Sequence, residues 1–279
     1  LRIRNQAGRA ARDTPARRRR DLDTSIETTA PVEDDLAERE AAYEKFVWDN
    51  LKRNYLGNYL HGMLGMTGFR LVNAPTFLPA YLHMISGSNA IVGLGLALQQ
   101  VGGIISPIFA GTKIEHRKKV MPAAMLMGGL GRVAILGIAL SAWFVTNDKY
   151  VLTLPWGRVE VQPLVWSVLF FMLMFGIFMG AQRVVFSLLM SKVIPLSRRG
   201  RLQAWRNATG GAIAAVLAFV AGRYFIGGNL FGNGYATTFL FACILTTIGL
   251  WALQMLLKEP EPPTTRAEGR FRDRLRDFP

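Results

Sequence analysis

Between residues 57 and 258 the chain is a succession of apolar runs. Each is about as long as the roughly 20 residues that a helix needs to cross the hydrocarbon core of a bilayer. Six can be cut, at 57–83, 89–111, 121–145, 164–191, 201–226 and 234–257, separated by HMISGSN, EHRKK, TNDKYVLTLPWGRVEVQP, PLSRRGR and IGGNLFGNG. Backbone in lipid must satisfy its own hydrogen bonds, and runs of this length do so as helices. The expected fold is therefore all-α, a polytopic membrane protein with six transmembrane helices. Composition agrees: 51% of residues are hydrophobic and only 19% charged, too few for a water-soluble protein of this size.

The chain carries 33 Lys+Arg against 19 Asp+Glu, a net charge of +14, which taken alone suggests a nucleic-acid binder. The position of the charge excludes that class. Both tails are close to balance, and nearly all the excess lies inside the apolar middle, where no nucleic-acid arm is placed. Loop two-three holds Lys113, Arg117, Lys118 and Lys119 against Glu115, and loop four-five holds Lys192, Arg198, Arg199 and Arg201 with no acid. The other loops are neutral or balanced. Basic loops stay on the cytoplasmic side, which places these two loops and both chain ends there. Residues 1–34, with Arg17 to Arg20, read as a disordered cytoplasmic tail. Residues 35–56 read as an amphipathic juxtamembrane helix, with Tyr43, Phe46, Val47 and Leu51 on one face and Trp48 and Tyr55 suited to the headgroup layer. The transmembrane domain covers 57–258, and 259–279 is a cytoplasmic tail or the start of a central loop. Leu1 at one end and a charged tail at the other suggest a piece of a longer chain.

Arg70, Arg132, Arg183, Arg206 and Arg223 fall within the spans. The last three lie towards span ends, where a long side chain can snorkel to the interface. Arg70 and Arg132 sit ~20 Å and ~17 Å from the expected cytoplasmic ends, at a rise of ~1.5 Å per residue. An arginine at that depth faces the bundle interior or a water-filled cavity. No Asp or Glu lies in any span. Backbone carbonyls, a carboxylate on a second half, or an anionic ligand remain to neutralise the pair. Asn73 stands one turn from Arg70, and Gln99 and Gln100 are also mid-membrane, so the expected solute-cavity residues are Arg70, Asn73, Gln99, Gln100 and Arg132. The single cysteine, Cys243, and three scattered histidines offer no disulfide framework or metal cluster. The spans supply neither paired carboxylates nor a nucleophile with its base, so no enzyme, metal or cofactor is expected. Glycines are dense in spans two, three and four, where small residues let helices approach closely in lipid.

Span two ends in Gly111-Thr-Lys-Ile-Glu115-His-Arg117-Lys-Lys119, which resembles the loop two-three signature of the major facilitator superfamily, G-x-x-x-D-R-x-G-R-K. Glu115 stands where that family has Asp, Lys119 matches a basic position, and His116 and Lys118 depart from it. Ile194-Pro195-Leu-Ser-Arg198-Arg199-Gly200-Arg201, followed by Arg206-Asn207-Ala-Thr-Gly210-Gly211, is similar to the family's four-five loop and the opening of span five. Lys192 stands where the family often has an acid. The resemblance implies the amino-terminal six-helix half of a twelve-helix transporter, working by alternating access around a midplane site. It implies a cytoplasmic gate of Gly111, Glu115, Arg117 and Lys119, and a four-five element of Arg198, Arg199, Gly200 and Arg201.

The expected function is secondary-active or facilitative transport of a small solute, with the two deep arginines favouring an anionic one. The alternative is a non-transporting membrane scaffold or a remnant half-transporter. The expected partners are the lipid bilayer, the solute, and the missing carboxy-terminal six-helix half or a second copy of the chain. The expected location is the plasma membrane, as a multi-pass protein, with no nucleic-acid partner.

Overall fold

The structure is a computed structural model that describes residues 35–73, 77–114, 117–154 and 157–262. It divides into two units, residues 1–46 and 47–279. In the first, the described residues are helical and belong to helix α1 (35–49), with Arg39 bonded to Asp35 one turn away. Of the expected sites, Glu115 lies outside the described residues, as do the expected tail 1–34 and the final stretch 263–279.

The second unit is built from α2 (Leu51–Asn73), α3 (Phe77–Ser86), α4 (Asn89–Ile114), α5 (Met121–Phe144), α6 (Pro163–Val193), α7 (Leu196–Val220) and α8 (Gly234–Leu256). Among the described residues five helices are long and apolar enough to cross a membrane by length and composition: α4, α5, α6, α7 with its extension to Ile226, and α8. The expected first span is described as two helical stretches, on either side of residues 74–76. It comprises α2, which begins at Leu51 and carries many polar residues, and the 10-residue α3. Pro79 falls in the first turn of α3, where a missing N–H breaks no intrahelical bond. Loop three-four contains a hairpin that was not expected, β1 (Tyr150–Leu154) against β2 (Gly157–Val161), antiparallel, with Tyr150 opposite Val161 and Leu154 opposite Gly157. Loop four-five is shorter than its sequence suggests. The C-terminus of α6 and the start of α7 leave only Ile194 and Pro195 between them, so Arg198 to Arg201 are helical.

Following contacts, the helices run α4, α6, α5, α8, α2, α7, each packed against the next. The two at the ends of this series are the least covered: 17% of the most apolar window of α4 and of α7 is buried, against 50% for α5 and α6. Close approach of α4 to α6 explains part of the glycine pattern. A Cβ on Gly176 would strike the Gln99 carbonyl, one on Gly180 would come within 2.6 Å of the Gly103 oxygen, and one on Gly102 within 2.8 Å of the Ile177 nitrogen. Only glycine lets these two backbones touch.

Two apolar clusters stack along the bundle. One gathers Leu71, Tyr81, Ile135, Phe175 and Phe239. The other gathers Val120, Leu189, Ile194, Leu202 and Leu253. Between them in sequence along α2, α5, α6 and α8 come the buried polar residues Asn58, His61, Thr67, Arg132, Gln182 and Thr246. The basic loops meet at one end: Lys192 Nζ donates to the Lys118 carbonyl at 2.9 Å, and Arg53 donates to the carbonyls of Met255 and Leu256, both at 2.7 Å. The neutral connections meet at the other, where Asn147 donates to the Ile85 carbonyl and Asn233 to that of Ala142. Asn233 also caps α8, its Oδ1 accepting from the Ala236 N–H at 3.1 Å.

Candidate functional site

The polar layer opens into a cavity of about 510 Å3 walled by α2, α6 and α7, a volume suited to a small solute. From α2 come His61, Gly62 and Phe69, from α6 Gln182, Arg183 and Phe186, and from α7 Gln203, Arg206 and Asn207. Gly62 makes room for Arg206: the three atoms nearest to a Cβ added there all belong to the Arg206 side chain, which would have to move. The His61 ring stacks on Phe186, with centroids 4.5 Å apart and planes within 13° of parallel. This fixes the imidazole edge against α6.

Much of the hydrogen-bonding capacity here has no protein partner. His61 Nδ1, Gln182 Oε1 and Arg206 Nε are buried without one. Arg206 Nη1 reaches Gln203 Oε1 at 3.2 Å and the Met190 sulfur at 4.0 Å, the second a weak contact. Arg183 is exposed on the cavity wall. Among the described residues no Asp or Glu lines the cavity and neither arginine pairs with a carboxylate. Two guanidiniums, donors only, thus share one recess with amide and imidazole groups.

Arg70, Gln99, Gln100 and Arg132, expected to face solute, are not among the residues that line this cavity. Arg132 is buried in the seam between α5 and α8, 4% exposed. Its Nε donates to the Thr246 carbonyl at 2.8 Å and its Nη1 to that of Gly128 at 2.6 Å, while Cζ sits 5.6 Å from the centroid of the Phe69 ring. Of the three candidate sources of compensation, this arginine uses backbone carbonyls. Nη2 alone is left over. Arg70 is exposed beside Gly211 of α7, where a Cβ would meet its Nη1 at 3.1 Å. Gln99 is half-buried and Gln100 exposed on α4, away from the cavity lining. The backbone of Asn73 ends α2, and its side chain lies outside what is described.

At the basic end, α4 continues through Gly111 to Ile114, and a Cβ at Gly111 would meet nothing within 4 Å. Arg117 is exposed, and Lys119 makes an exposed ion pair with Glu261 at 3.6 Å, an arrangement of little energetic weight. Arg199 donates to the carbonyls of Ile194 and Ser191, both at 2.8 Å, and so caps the end of α6. Gly200 is in open space. The dominant contact at this end comes from Glu259, which sequence reasoning passed over as the first residue of a tail. Its carboxylate accepts from the N–H groups of Val120 (2.7 and 2.9 Å) and Met121 (2.8 Å), where the dipole of α5 favours negative charge. It also pairs with Lys192 at 3.2 Å, the two side chains being 5% and 12% exposed. Where the resembled family often has an acid before the four-five proline, this chain thus has the base of a nearly buried ion pair.

A family model described as Major Facilitator Superfamily matches residues 55–277. Among solved structures the chain is similar to one titled "Crystal structure of D-xylose-proton symporter", with a TM-score of 0.58 and 16% identity, covering 76% of this chain and 49% of that one. At that identity the likeness speaks for the fold. A second structure, the xylose transporter XylE from E. coli in a partially occluded inward-open conformation, gives a TM-score of 0.48 at 19% identity, covering 76% of this chain and 50% of that one. The chain therefore spans about half the length of the solved structures it matches. No curated protein matches it in sequence.

Proposed function

We propose, because the chain belongs to the major facilitator superfamily, that its bundle is the amino-terminal half of a plasma-membrane transporter and that the cavity walled by α2, α6 and α7 receives a small anionic solute. The observation that carries this reading is the pair of guanidiniums, Arg183 and Arg206, in a recess with no carboxylate. In a site shielded from water, an uncompensated positive lining favours a carboxylate or phosphate over a neutral or cationic solute. His61 and Gln182 supply further polar atoms for orientation, and Arg70, exposed where α2 meets α7, extends the positive lining. Arg132 acts one layer back, holding the Phe69 ring that lines the cavity.

Transport follows by alternating access, with a second six-helix half or a second copy of this chain closing the open side of the cavity against the poorly covered faces of α4 and α7. The Glu259–Lys192 pair and the α5 N-terminus tie the basic end of this half together, so the half moves as one body.

Ligand-dependent thermal unfolding of the purified chain tests the solute class, using matched probes such as glucose, glucuronate and glucose 6-phosphate. The charged members should raise the melting temperature, and glucose should not. An equal response to all three overturns the anionic reading. Counterflow of a labelled charged probe into proteoliposomes carrying the full-length protein tests transport separately; no signal above empty liposomes across such a panel favours a scaffold.

A further inference from the structure

Helix α7 presents polar side chains on two faces, and the cavity uses only one of them. Gln203, Arg206 and Asn207 line the cavity. Arg198, Arg201 and Trp205 line a second recess of about 660 Å3, shared with Lys52, Tyr55 and Tyr59 of α2. At ~100° per residue the two sets lie on roughly opposite sides of α7. The second recess therefore faces away from the cavity and from the side that a second half would close.

The structure divides the cations of this region by task. Arg53 is committed to the carbonyls at the end of α8, and Arg199 to those at the end of α6. Their neighbours Lys52, Arg198 and Arg201 are exposed, pair with no carboxylate among the described residues, and converge on the recess, which no acid lines. The three cations belong to the first two turns of α2 and α7, at the basic end of the bundle. Going inward, the wall becomes aromatic. Tyr59 is fixed by a 3.2 Å hydrogen bond between its hydroxyl and Thr209, and Trp205 is 53% exposed. Positive charge at the mouth and apolar rings below it match one kind of molecule, in which a phosphate is joined to a hydrocarbon chain.

We propose that this recess between α2 and α7 is a binding site for an anionic phospholipid of the cytoplasmic leaflet. The headgroup phosphate lies among Lys52, Arg198 and Arg201, and an acyl chain runs along Tyr55, Tyr59 and Trp205. The site is separate from the solute cavity, and its occupancy depends on the lipid, whatever the solute.

Native mass spectrometry of the full chain, released from nanodiscs of equimolar phosphatidylglycerol and phosphatidylcholine, tests the proposal. The wild-type protein should retain phosphatidylglycerol over phosphatidylcholine by about tenfold, a preference that shrinks as ionic strength rises. The K52Q/R198Q/R201Q variant should bring the ratio close to one. Trp205→Ala should lower retention of both lipids and leave the ratio unchanged. If the triple variant does not fold, the salt dependence of the wild-type ratio and the Trp205→Ala result decide. No headgroup preference in the wild-type protein, a preference unchanged in the folded triple variant, or loss of the preference on adding millimolar inorganic phosphate at constant ionic strength would each overturn the assignment. So would a dimer that buries the recess and excludes lipid from it.

Discussion

The seam between α5 and α8 holds a buried arginine and the wall of the cavity a half-buried one, and the two are treated differently. Arg132 has two donors on carbonyls at 2.6 and 2.8 Å and its cation near the Phe69 ring. Arg206 leaves Nε without a partner and reaches only a glutamine oxygen at 3.2 Å and a thioether. Both are arginines within apolar helices, yet the first is compensated by its own protein and the second is not. A guanidinium with most of its donors in use is a structural cross-link; one with unused donors beside a cavity is left able to bind a solute. Phe69 joins the two regions, since it packs beneath Arg132 and lines the recess of Arg206.

The largest expected effect falls on the seam. Arg132→Ala removes two charge-assisted hydrogen bonds and a cation–ring contact, and leaves a void between α5 and α8. It should cost about 3 kcal/mol of stability, seen as a lower thermal unfolding temperature and a smaller monodisperse fraction in detergent. Arg132→Lys should rescue little, because a single ammonium cannot reproduce the planar fork that spans Gly128 and Thr246. An unchanged melt in both variants would break the comparison at its first term and return Arg132 to the list of solute contacts.

The next effect belongs to the cavity. Arg206→Ala should change stability by no more than about 1 kcal/mol, since few protein contacts are lost. Affinity for an anionic solute should fall by about tenfold or more, the worth of one charge-assisted hydrogen bond. Isothermal titration against the probe that most raises the melting temperature measures it. If stability drops and affinity holds, the roles of the two arginines are exchanged.

Depth alone could not have separated these residues. From sequence, Arg132 stands out because it is far from a span end, and Arg206 does not because span five is expected to start at residue 201. In the structure α7 starts at Leu196, which places Arg206 ~15 Å along the helix at ~1.5 Å per residue. The apolar runs were legible, to within a few residues for α4, α5, α6 and α8, because hydrophobicity and length are properties of consecutive residues. The start of α2 at Leu51, six residues before the expected span, was not, since that first part is polar and stands on contacts with α7 and α8. Nor was the role of Glu259, which depends on the end of α8 being brought to the start of α5, a contact 139 residues apart in sequence. The arginine spacing with Gln203 and Asn207 on one face of α7 was the signal that could have pointed to the cavity.

The smallest expected effect sharpens the contrast, because stability and affinity should move in opposite directions. Gly62 lies within α2, and a methyl group there would meet the Arg206 side chain first. A guanidinium is the far end of a flexible chain and can swing away, so Gly62→Ala should be accommodated without moving a helix. In a helix interior, alanine is favoured over glycine by up to ~1 kcal/mol, and the melting temperature should hold or rise slightly. Affinity for the anionic probe should nonetheless fall by about threefold, as Arg206 leaves its place at the cavity wall. Thermal unfolding with and without the probe reads both quantities in one experiment. A fall in the ligand-free melting temperature would mean that Arg206 cannot yield, and that it supports the wall as Arg132 supports the seam. A rise with full affinity would mean that the position of Arg206 does not matter to the solute, and would leave Arg183 as the cavity's anion contact.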